Sequence, residues 1–401
     1  MTNDARLPAL DAHRNNIQPL ATTRLNQSVG DVDWDVIVVG AGPAGSAAAI
    51  SAARLSLRVL LVDAKLFPRR KVCGGCLNQV SIALAKQLLG PDHPLWSSAL
   101  AIDGFRLQHA GRRFQFPLPG GLAIDRMLFD QSLVDQSGKE GVTFADSTTA
   151  KLGKASTEWR EVQLEHAAGS RCVRAKAVVL AGGLGSRAAG EDFSLMSQAT
   201  PNSRLGIEAL FDKYPSDFGP GSIHMAVGTA GYVGLTQLAD RRLHVAAAVE
   251  RHLLQQLGPA GCVRSILQQS GAPLLPDTPT LTWRGTPPLT CRAQQLADDR
   301  VFLVGDAAGY VEPFTGEGIR WGLETGMGVA PLLLRACQTW DNRLSHEWTR
   351  WYRTHIGTQQ RRCSRISFGL KHAATRWLAH RTLQFQPKVA KWVIARLNDP
   401  S

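Results

Sequence analysis

Residues 33–64 read DWDVIVVGAGPAGSAAAISAARLSLRVLLVDA. The run Val36–Val39 is short and wholly apolar, which suits a strand buried on both faces. Gly40, Gly42 and Gly45 follow it at G-x-G-x-x-G spacing, with Ala44 just before the last glycine. Pro43 falls near the first turn of the helix that comes next, where a missing N–H costs nothing. The helix itself, AGSAAAISAA, is rich in small side chains and can lie close to a sheet. LRVLLVD is a second strand, ending in Asp63 eighteen positions after Gly45. Strand, glycines, helix, strand and terminal acid together form the dinucleotide fingerprint in its full setting. The glycines let the backbone approach a pyrophosphate at the helix N-terminus, and the acid can accept hydrogen bonds from ribose hydroxyls. The pattern does not by itself separate FAD from NAD.

Working outward, the stretch DRVFLVGDAAGYVEPFTGEGIRWGLETG spans Asp299–Gly326. VFLVG is another buried strand, Gly305 and Asp306 stand at its carboxyl end, and PFTGEGI leads into a helical stretch. Together GAGPAG, GDAAG and PFTGEGI resemble the FAD-dependent oxidoreductases of the glutathione-reductase-like superfamily. The branch is the one that holds p-hydroxybenzoate-hydroxylase-type monooxygenases, flavin halogenases and geranylgeranyl reductases. The resemblance implies that FAD is the cofactor, that Gly305 and Asp306 bind its ribityl region, and that Pro313, Gly316, Gly318 and Ile319 lie along the isoalloxazine ring. The physics agrees: two glycines bring backbone close to a flat ligand, and the helix N-terminus that follows offers N–H groups and positive potential to an anionic reduced ring.

Two middle stretches extend the resemblance. AIDRMLFDQSLVDQSGKEGV, residues 123–142, is similar to the family's R-x-x-L/F-D helix, which implies an FAD contact for Arg126. AKAVVLAGGLGSRAAG, residues 175–190, is similar to its strand followed by A-D/T-G-x-x-S-x-x-R, which implies a cofactor contact at Gly183. Gly182 stands where many members have Asp. Gly183, Gly185 and Ala188 also match G-x-G-x-x-A, but EDFSLMSQATPNSRL supplies no helix and strand for a second dinucleotide domain. Electrons are therefore expected from transient NAD(P)H contact or from another donor.

The stretch KVCGGCLN, residues 71–78, raises a separate question. Zinc would need two further ligands, yet there is no second C-x-x-C, and the 11 histidines form no H-E-x-x-H. A thioredoxin-like dithiol caps a helix in a different setting. The favoured reading is a glycine-rich loop against the flavin, because geranylgeranyl reductases have a similar Cys-Gly pair after a basic stretch. Cys73-Gly74 matches that pair, and Cys76 is extra. Arg70 and Lys71 either offset pyrophosphate charge and receive NADPH or are surface cations. Candidate catalytic residues are Cys73, Cys76 and Tyr232, the last from GYVGLTQL, which resembles the reductase segment that turns toward the active site.

The expected fold class is α/β: a Rossmann-like FAD-binding domain in discontinuous segments, a mixed β-sheet substrate domain and a helical C-terminus. The boundaries read as a flexible arm over 1–33, an FAD-binding domain over 34–74, 122–189 and 298–330, a substrate domain over 75–121 and 190–297, and a basic helical region over 331–401. The first 33 residues lack the apolar core of a secretory signal. No run approaches the roughly 18 apolar residues of a spanning helix. Seven scattered cysteines suit a reducing compartment, so the expected location is cytoplasmic. Of the net charge of +12, most lies in residues 331–401, with 13 Lys and Arg against three acids and five of the ten tryptophans. The basic, Trp-bearing segment Ala373–Leu397 suits peripheral contact with the membrane's inner face, against the plainer reading of a helical cap. No nucleic-acid motif is present.

The resemblance leaves several activities open. The first is a geranylgeranyl-reductase-like transfer of hydride from reduced FAD to a double bond of an apolar isoprenoid, lipid or polycyclic substrate. The second is hydroxylation of an aromatic, polyketide or quinone-type substrate through a flavin C4a-hydroperoxide. The third is a non-catalytic electron-transfer module. Halogenation lacks its W-x-W-x-I-P motif here.

Overall fold

The computed structural model describes residues 32–276, 281–312 and 316–371, with backbone alone over 366–371. The expected N-terminal arm, apart from its last two residues, and the segment Ala373–Leu397 lie outside the described residues. Two large sheets organise the rest, and a cavity lies between them.

The first sheet grows from the opening motif. Strand β1 (Trp34–Val39) pairs in parallel with β2 (Val59–Val62) on one side and with the carboxyl half of β9 (Gly169–Leu180) on the other. β6 (Thr143–Ala145) extends it beyond β2, and β18 (Val301–Leu303) and β17 (Ala297–Asp298) extend it beyond β9. A hairpin of β7 (Thr149–Ala155) and β8 (Arg160–His166) joins through the amino half of β9. Ile37, Leu60, Leu61, Val178 and Phe302 are fully buried, as a parallel sheet covered on both faces requires.

Helix α1 (Pro43–Ala53) is buried on nearly every side, so its small residues serve more than the sheet. It crosses α5 (Gly318–Gly328) at very short range. A Cβ added to Gly326 would lie 2.2 Å from Ala44 O and 2.8 Å from Ala47 Cβ, and one added to Gly305 would lie 2.7 Å from Ala44 Cβ. Glycine is thus obligatory at this crossing, and it brings the N-termini of α1 and α5 to the same cavity. The helical stretch after PFTGEGI holds two helices: α5 ends at Gly328, and α6 (Ala330–Gln338) starts afresh with Pro331 in its first turn. Helix α7 (Arg343–Lys371) buries Trp348, whose indole N–H donates to Leu303 O at 3.0 Å.

The second sheet has the order β15-β11-β14-β13-β12-β4-β5-β3. Its strands are β3 (Cys76–Asn78), β4 (Leu100–His109), β5 (Arg112–Ala123), β11 (Leu205–Phe211), β12 (Ser222–Gly228), β13 (Gly231–Gln237), β14 (Leu243–Val249) and β15 (Arg284–Pro288). All neighbours are antiparallel except β12 and β4, so the sheet is mixed as expected. Alternation splits its faces. Ile207, Val233, Leu235, Val245 and Val249 pack on Val263, Ile266 and Leu267 of α4 (Arg251–Ser270). Tyr232, Gly234, Ala246 and Ala248 face the other way, into the cavity. Helices α2 (Gln79–Leu89) and α4 are elements that the strand-like alternation of these regions does not announce. Helix α3 (Arg126–Lys139) follows β5, where the R-x-x-L/F-D likeness put it. A small antiparallel sheet of β10 (Ser197–Ala199), β16 (Cys291–Ala293) and β19 (Gly309–Tyr310) ties the remaining connections together.

The α1–α5 crossing gives a first prediction. Gly326→Ala should destabilise the fold by about 1–3 kcal/mol through overpacking, measured by urea unfolding. An unchanged midpoint would mean that the helices can part without loss.

Candidate active site

A cavity of about 1010 Å³ lies between the glycine-rich ends of the first sheet and the open face of the second. Its nucleotide-like side is built from Gly42, Pro43 and Ala44 at the start of α1, Gly182 and Gly183 after β9, Gly305 and Asp306 after β18, and Gly316, Gly318 and Ile319 at the start of α5. Its opposite wall carries Ile102, Phe105 and Leu107 from β4, Phe116 from β5, Met225 from β12 and Tyr232 from β13. The Arg70–Asn78 segment closes the space between them.

The three opening glycines have three separate reasons. Gly40 has φ +108, and an added Cβ would lie 2.5 Å from Ala181 O. Gly45 sits against Gly40 O, where a Cβ would come within 1.7 Å. Gly42 alone of the three opens on the cavity, its nearest neighbour being the Arg69 guanidinium at 3.6 Å from the added Cβ. Gly40, Gly45 and Asp63 thus stand behind the wall. Asp63 accepts N–H bonds from Ala41 and Lys65, both at 2.9 Å, and pairs with Arg69 at 3.3 Å. These three bonds leave one of the roughly four acceptor positions of a carboxylate for a ribose hydroxyl.

Arg69 continues to Asp130 at 3.2 Å, and Asp130 is gripped in two places by Arg126, each at 3.0 Å. Burial works to lower the Arg126 pKa, but Asp130 and the neighbouring Cys73 thiol outweigh it, and Arg126 is a fixed cation on the cavity wall. Lys71 sits over Gly183, where a Cβ would lie 2.7 Å from its Nζ and where φ is +75. Burial lowers the Arg70 pKa, with Asp125 acting the other way. For Asp306, burial raises the carboxyl pKa, opposed by Lys71 and Arg126. Pro313 lies outside the described residues.

The departure at Gly182 has a local cause. A Cβ there would lie 2.2 Å from Ser186 Oγ, so the hydroxyl occupies the space that an aspartate would need.

The two cysteines of KVCGGCLN turn to different neighbours. Cys73 N–H donates to Glu208 Oε2 at 3.0 Å, its sulfur accepts the Gly75 N–H at 3.4 Å, and its thiol lies beside Arg126. Cys76 opens β3; its thiol bonds Gly74 O at 3.3 Å and meets Thr236 Oγ1 at 3.7 Å. Burial pushes the Cys76 thiol up to about 12, so it keeps its proton at neutral pH. Both cysteines are free thiols. The glycines between them also differ: Gly74 opens to empty space, whereas Gly75, at φ +65, lies against His244. Among the described residues no group of His, Cys, Asp or Glu converges as a metal site.

Sequence reading missed the pair below this loop. Glu208 and His244, both buried, approach at 3.3 Å and anchor the Cys73 backbone. The available signal was a lone glutamate inside the apolar strand RLGIEALF. Tyr232 is buried on the far wall, with the Arg204 guanidinium 5.9 Å from its ring centroid. Burial holds its pKa well above the ordinary value, reinforced by Glu312. Arg204 is itself buried and held by Glu312 at 3.0 Å and Glu250 at 2.8 Å.

Glu317, between the two glycines that start α5, was also overlooked. It is buried behind the wall; Asn78 Nδ2 donates to its Oε1 at 3.0 Å, and Arg320 lies 3.5 Å from its Oε2.

These residues fit FAD. Bare backbone faces the cavity at Gly42, Gly74 and Gly316, and the cations Arg70, Lys71 and Arg126 line it, so an anionic cofactor would meet positive charge there. A profile of the family described as "FAD binding domain" matches residues 33–344, and the chain belongs to that family. It is an FAD-dependent oxidoreductase of the geranylgeranyl reductase and p-hydroxybenzoate hydroxylase-like superfamily. It is 28% identical over 330 residues to digeranylgeranylglycerophospholipid reductase 1 of Methanopyrus kandleri, covering 78% of this chain and 84% of that one. It is 29% identical over 339 residues to the menaquinone reductase of Mycobacterium tuberculosis strain H37Rv, covering 76% and 77%. The crystal structure of p-nitrophenol 4-monooxygenase from Pseudomonas putida DLL-E4 superposes with a TM-score of 0.71 at 16% identity, over 91% of this chain and 97% of that one, and shares the fold.

Glu317 carries a pH prediction. Burial raises its pKa from 4.5 to about 7, against Arg320 and Asn78, with Glu324 adding to the rise. The folded protein therefore holds a proton that the unfolded chain has released, and this contribution to stability declines as pH rises from 4.5 to about 7. Relative to Glu317→Gln, the wild type should lose stability at about 1.4 kcal/mol per pH unit within that window, read from urea midpoints. A difference that stays flat with pH would refute the assignment.

Proposed function

We propose that this protein reduces a carbon–carbon double bond of an apolar, isoprenoid-type substrate. The observation that carries the reading is the cavity's two-sided wall: glycine loops and cations on one side, and Ile102, Phe105, Leu107, Phe116 and Met225 on the other. The names of two relatives support it, one a reductase of a digeranylgeranyl glycerophospholipid and one a menaquinone reductase.

FAD, when bound and reduced by NAD(P)H or another donor, would supply hydride. The chain's own residues then have distinct tasks. Gly42, Pro43 and Ala44 bring backbone and the α1 N-terminus to the pyrophosphate, Gly40 and Gly45 shape that turn, and Asp63 receives a ribose hydroxyl. Arg70, Lys71 and Arg126 balance negative charge, with Gly183 making room for Lys71. Gly305 and Asp306 hold the ribityl region. Gly316, Gly318 and Ile319 present the α5 N-terminus, which favours an anionic ring. The apolar sheet wall orients the substrate and excludes water. Tyr232, on the cavity wall, is assigned as the proton source for the second carbon. The neutral Cys76 thiol, fixed by Thr236, and Cys73, fixed by Arg126, keep the connecting loop in place. NAD(P)H or another donor returns electrons.

Tyr232→Phe should lower anaerobic alkene reduction by about 10²-fold or more while leaving the rate of FAD reduction unchanged. Equal turnover would remove Tyr232 from the chemistry. The whole reading fails if the reduced protein consumes O₂ in step with substrate hydroxylation and leaves alkenes intact without O₂.

The same reading places the protein in the cytoplasm, against the membrane's inner face. Among the described residues no helix is long and apolar enough to cross a membrane. The exposed side of α7 carries Arg343, Arg350, Arg353, Arg361 and Arg365, opposite its buried Trp348, Tyr352 and Ile356. Each basic residue near an anionic surface contributes about 1 kcal/mol. Reversing Arg350, Arg353 and Arg361 to Glu should therefore lower co-sedimentation with phosphatidylserine vesicles by about tenfold or more; unchanged sedimentation would exclude this face.

A further inference from the structure

β13 lies inside the second sheet, between β12 and β14. A central strand favours β-branched and aromatic residues, and glycine in its interior weakens it. Two other glycines on this sheet have structural reasons. Gly231 has φ +141, and an added Cβ would lie 1.9 Å from Ala248 O. Gly206 is crowded by Thr286 Oγ1, 2.9 Å from its added Cβ. Gly234 is different. Its φ is not in the left-handed region. An added Cβ would meet nothing nearer than Met225 Cε at 3.6 Å and Ala246 O at 3.7 Å, which is ordinary contact.

The protein thus has space for a side chain at 234, and the strand would gain from one. What a larger side chain would fill is the cavity, which Gly234 lines. Its cross-strand neighbours are Met225 on β12 and Ala246 on β14, with Ala248 two residues farther along β14 on the same face. Along β13 the next cavity-facing residues are Tyr232 and Thr236, each about 7 Å away. Bare backbone at 234 is therefore the floor of a slot with Tyr232 and Thr236 at either end, Met225 on one side and small alanines on the other.

We infer that Gly234 is a specificity-determining residue: its slot seats the isoprenoid chain flat against the strand, between Tyr232 and Thr236. This rests on the isoprenoid reading above. A trisubstituted alkene is planar with a methyl branch. Laid on bare backbone, it gains contact over one face and leaves the other open toward the glycine loops. A side chain at 234 would lift the chain off the floor and out of line with Tyr232.

The test compares wild type, Gly234→Ala and Gly234→Leu, each loaded with FAD. Three probes are titrated and followed by the change in flavin absorbance: geranylgeraniol as chain alone, menadione as ring alone, and menaquinone-4 as ring with chain. Thermal midpoint and FAD dissociation constant are measured in parallel. Leu should weaken geranylgeraniol and menaquinone-4 by about tenfold or more and Ala by less, with menadione and FAD binding little changed and the thermal midpoint no lower. Unchanged binding of the chain probes to the Leu variant would overturn the inference, as would equal loss of FAD. If neither chain probe binds wild type, the isoprenoid reading itself fails. The slot is then read with Nile red, a flat apolar dye that needs no such reading. Leu should weaken Nile red by about tenfold, and equal binding would overturn the slot as well.

Discussion

The approach of α1 to α5 is the constraint on which the rest depends. Each helix starts at the cavity, so the N-terminal N–H groups of both face the same space. They can do so only if they cross where neither has bulk, with Gly305 and Gly326 packed on Ala44 and Ala47. Residues about 280 apart in sequence are thereby fixed within van der Waals contact. Asp63 secures the same corner from below by accepting the Ala41 N–H. The chain Asp63–Arg69–Asp130–Arg126 then carries that corner across to the start of α3. Buried charges are tolerable here because each has a partner at hydrogen-bond distance.

The second sheet supplies what the first cannot, a wide apolar surface. On β11 to β14 one face is packed against α4. The other is left to the cavity, with Ile102, Phe105, Leu107 and Phe116 on β4 and β5, Tyr232 and Gly234 on β13, and Ala246 and Ala248 on β14. These strands and the Arg70–Asn78 segment together give the pocket its shape. Side chains on a hydrogen-bonded sheet hold position better than those on a mobile segment, which suits a site that must align a substrate with a flat cofactor.

The cysteine loop joins the two halves. Its backbone is bound from beneath by Glu208, which is supported by His244 on the substrate sheet. Its first thiol turns to Arg126, from the flavin side, and its second to Thr236, from the substrate side. A spacing that in isolation suggests a metal or a disulfide is here a bridge between two sheets.

The sequence by itself determined the nucleotide-binding half. Gly40, Gly42, Gly45, Pro43 and Asp63 are local in the chain, and their spacing translates directly into a turn, a helix start and a strand end. Gly305 and Gly316–Ile319 were legible through the family resemblance that GDAAG and PFTGEGI carry. What only the tertiary structure decided are the facts that need two distant segments at once. Glu208 and His244 meet because β11 and β14 pair, and no spacing encodes that pairing. The helix α4 was hidden because a helix covering one sheet face needs only a few apolar residues, and Gly258-Pro259 interrupts their period. The meaning of each glycine was hidden as well. The letter is the same at 40, 206, 231 and 234, but the atom nearest an absent Cβ is a backbone oxygen, a threonine hydroxyl or a methionine methyl at ordinary contact distance, and only packing can tell these apart.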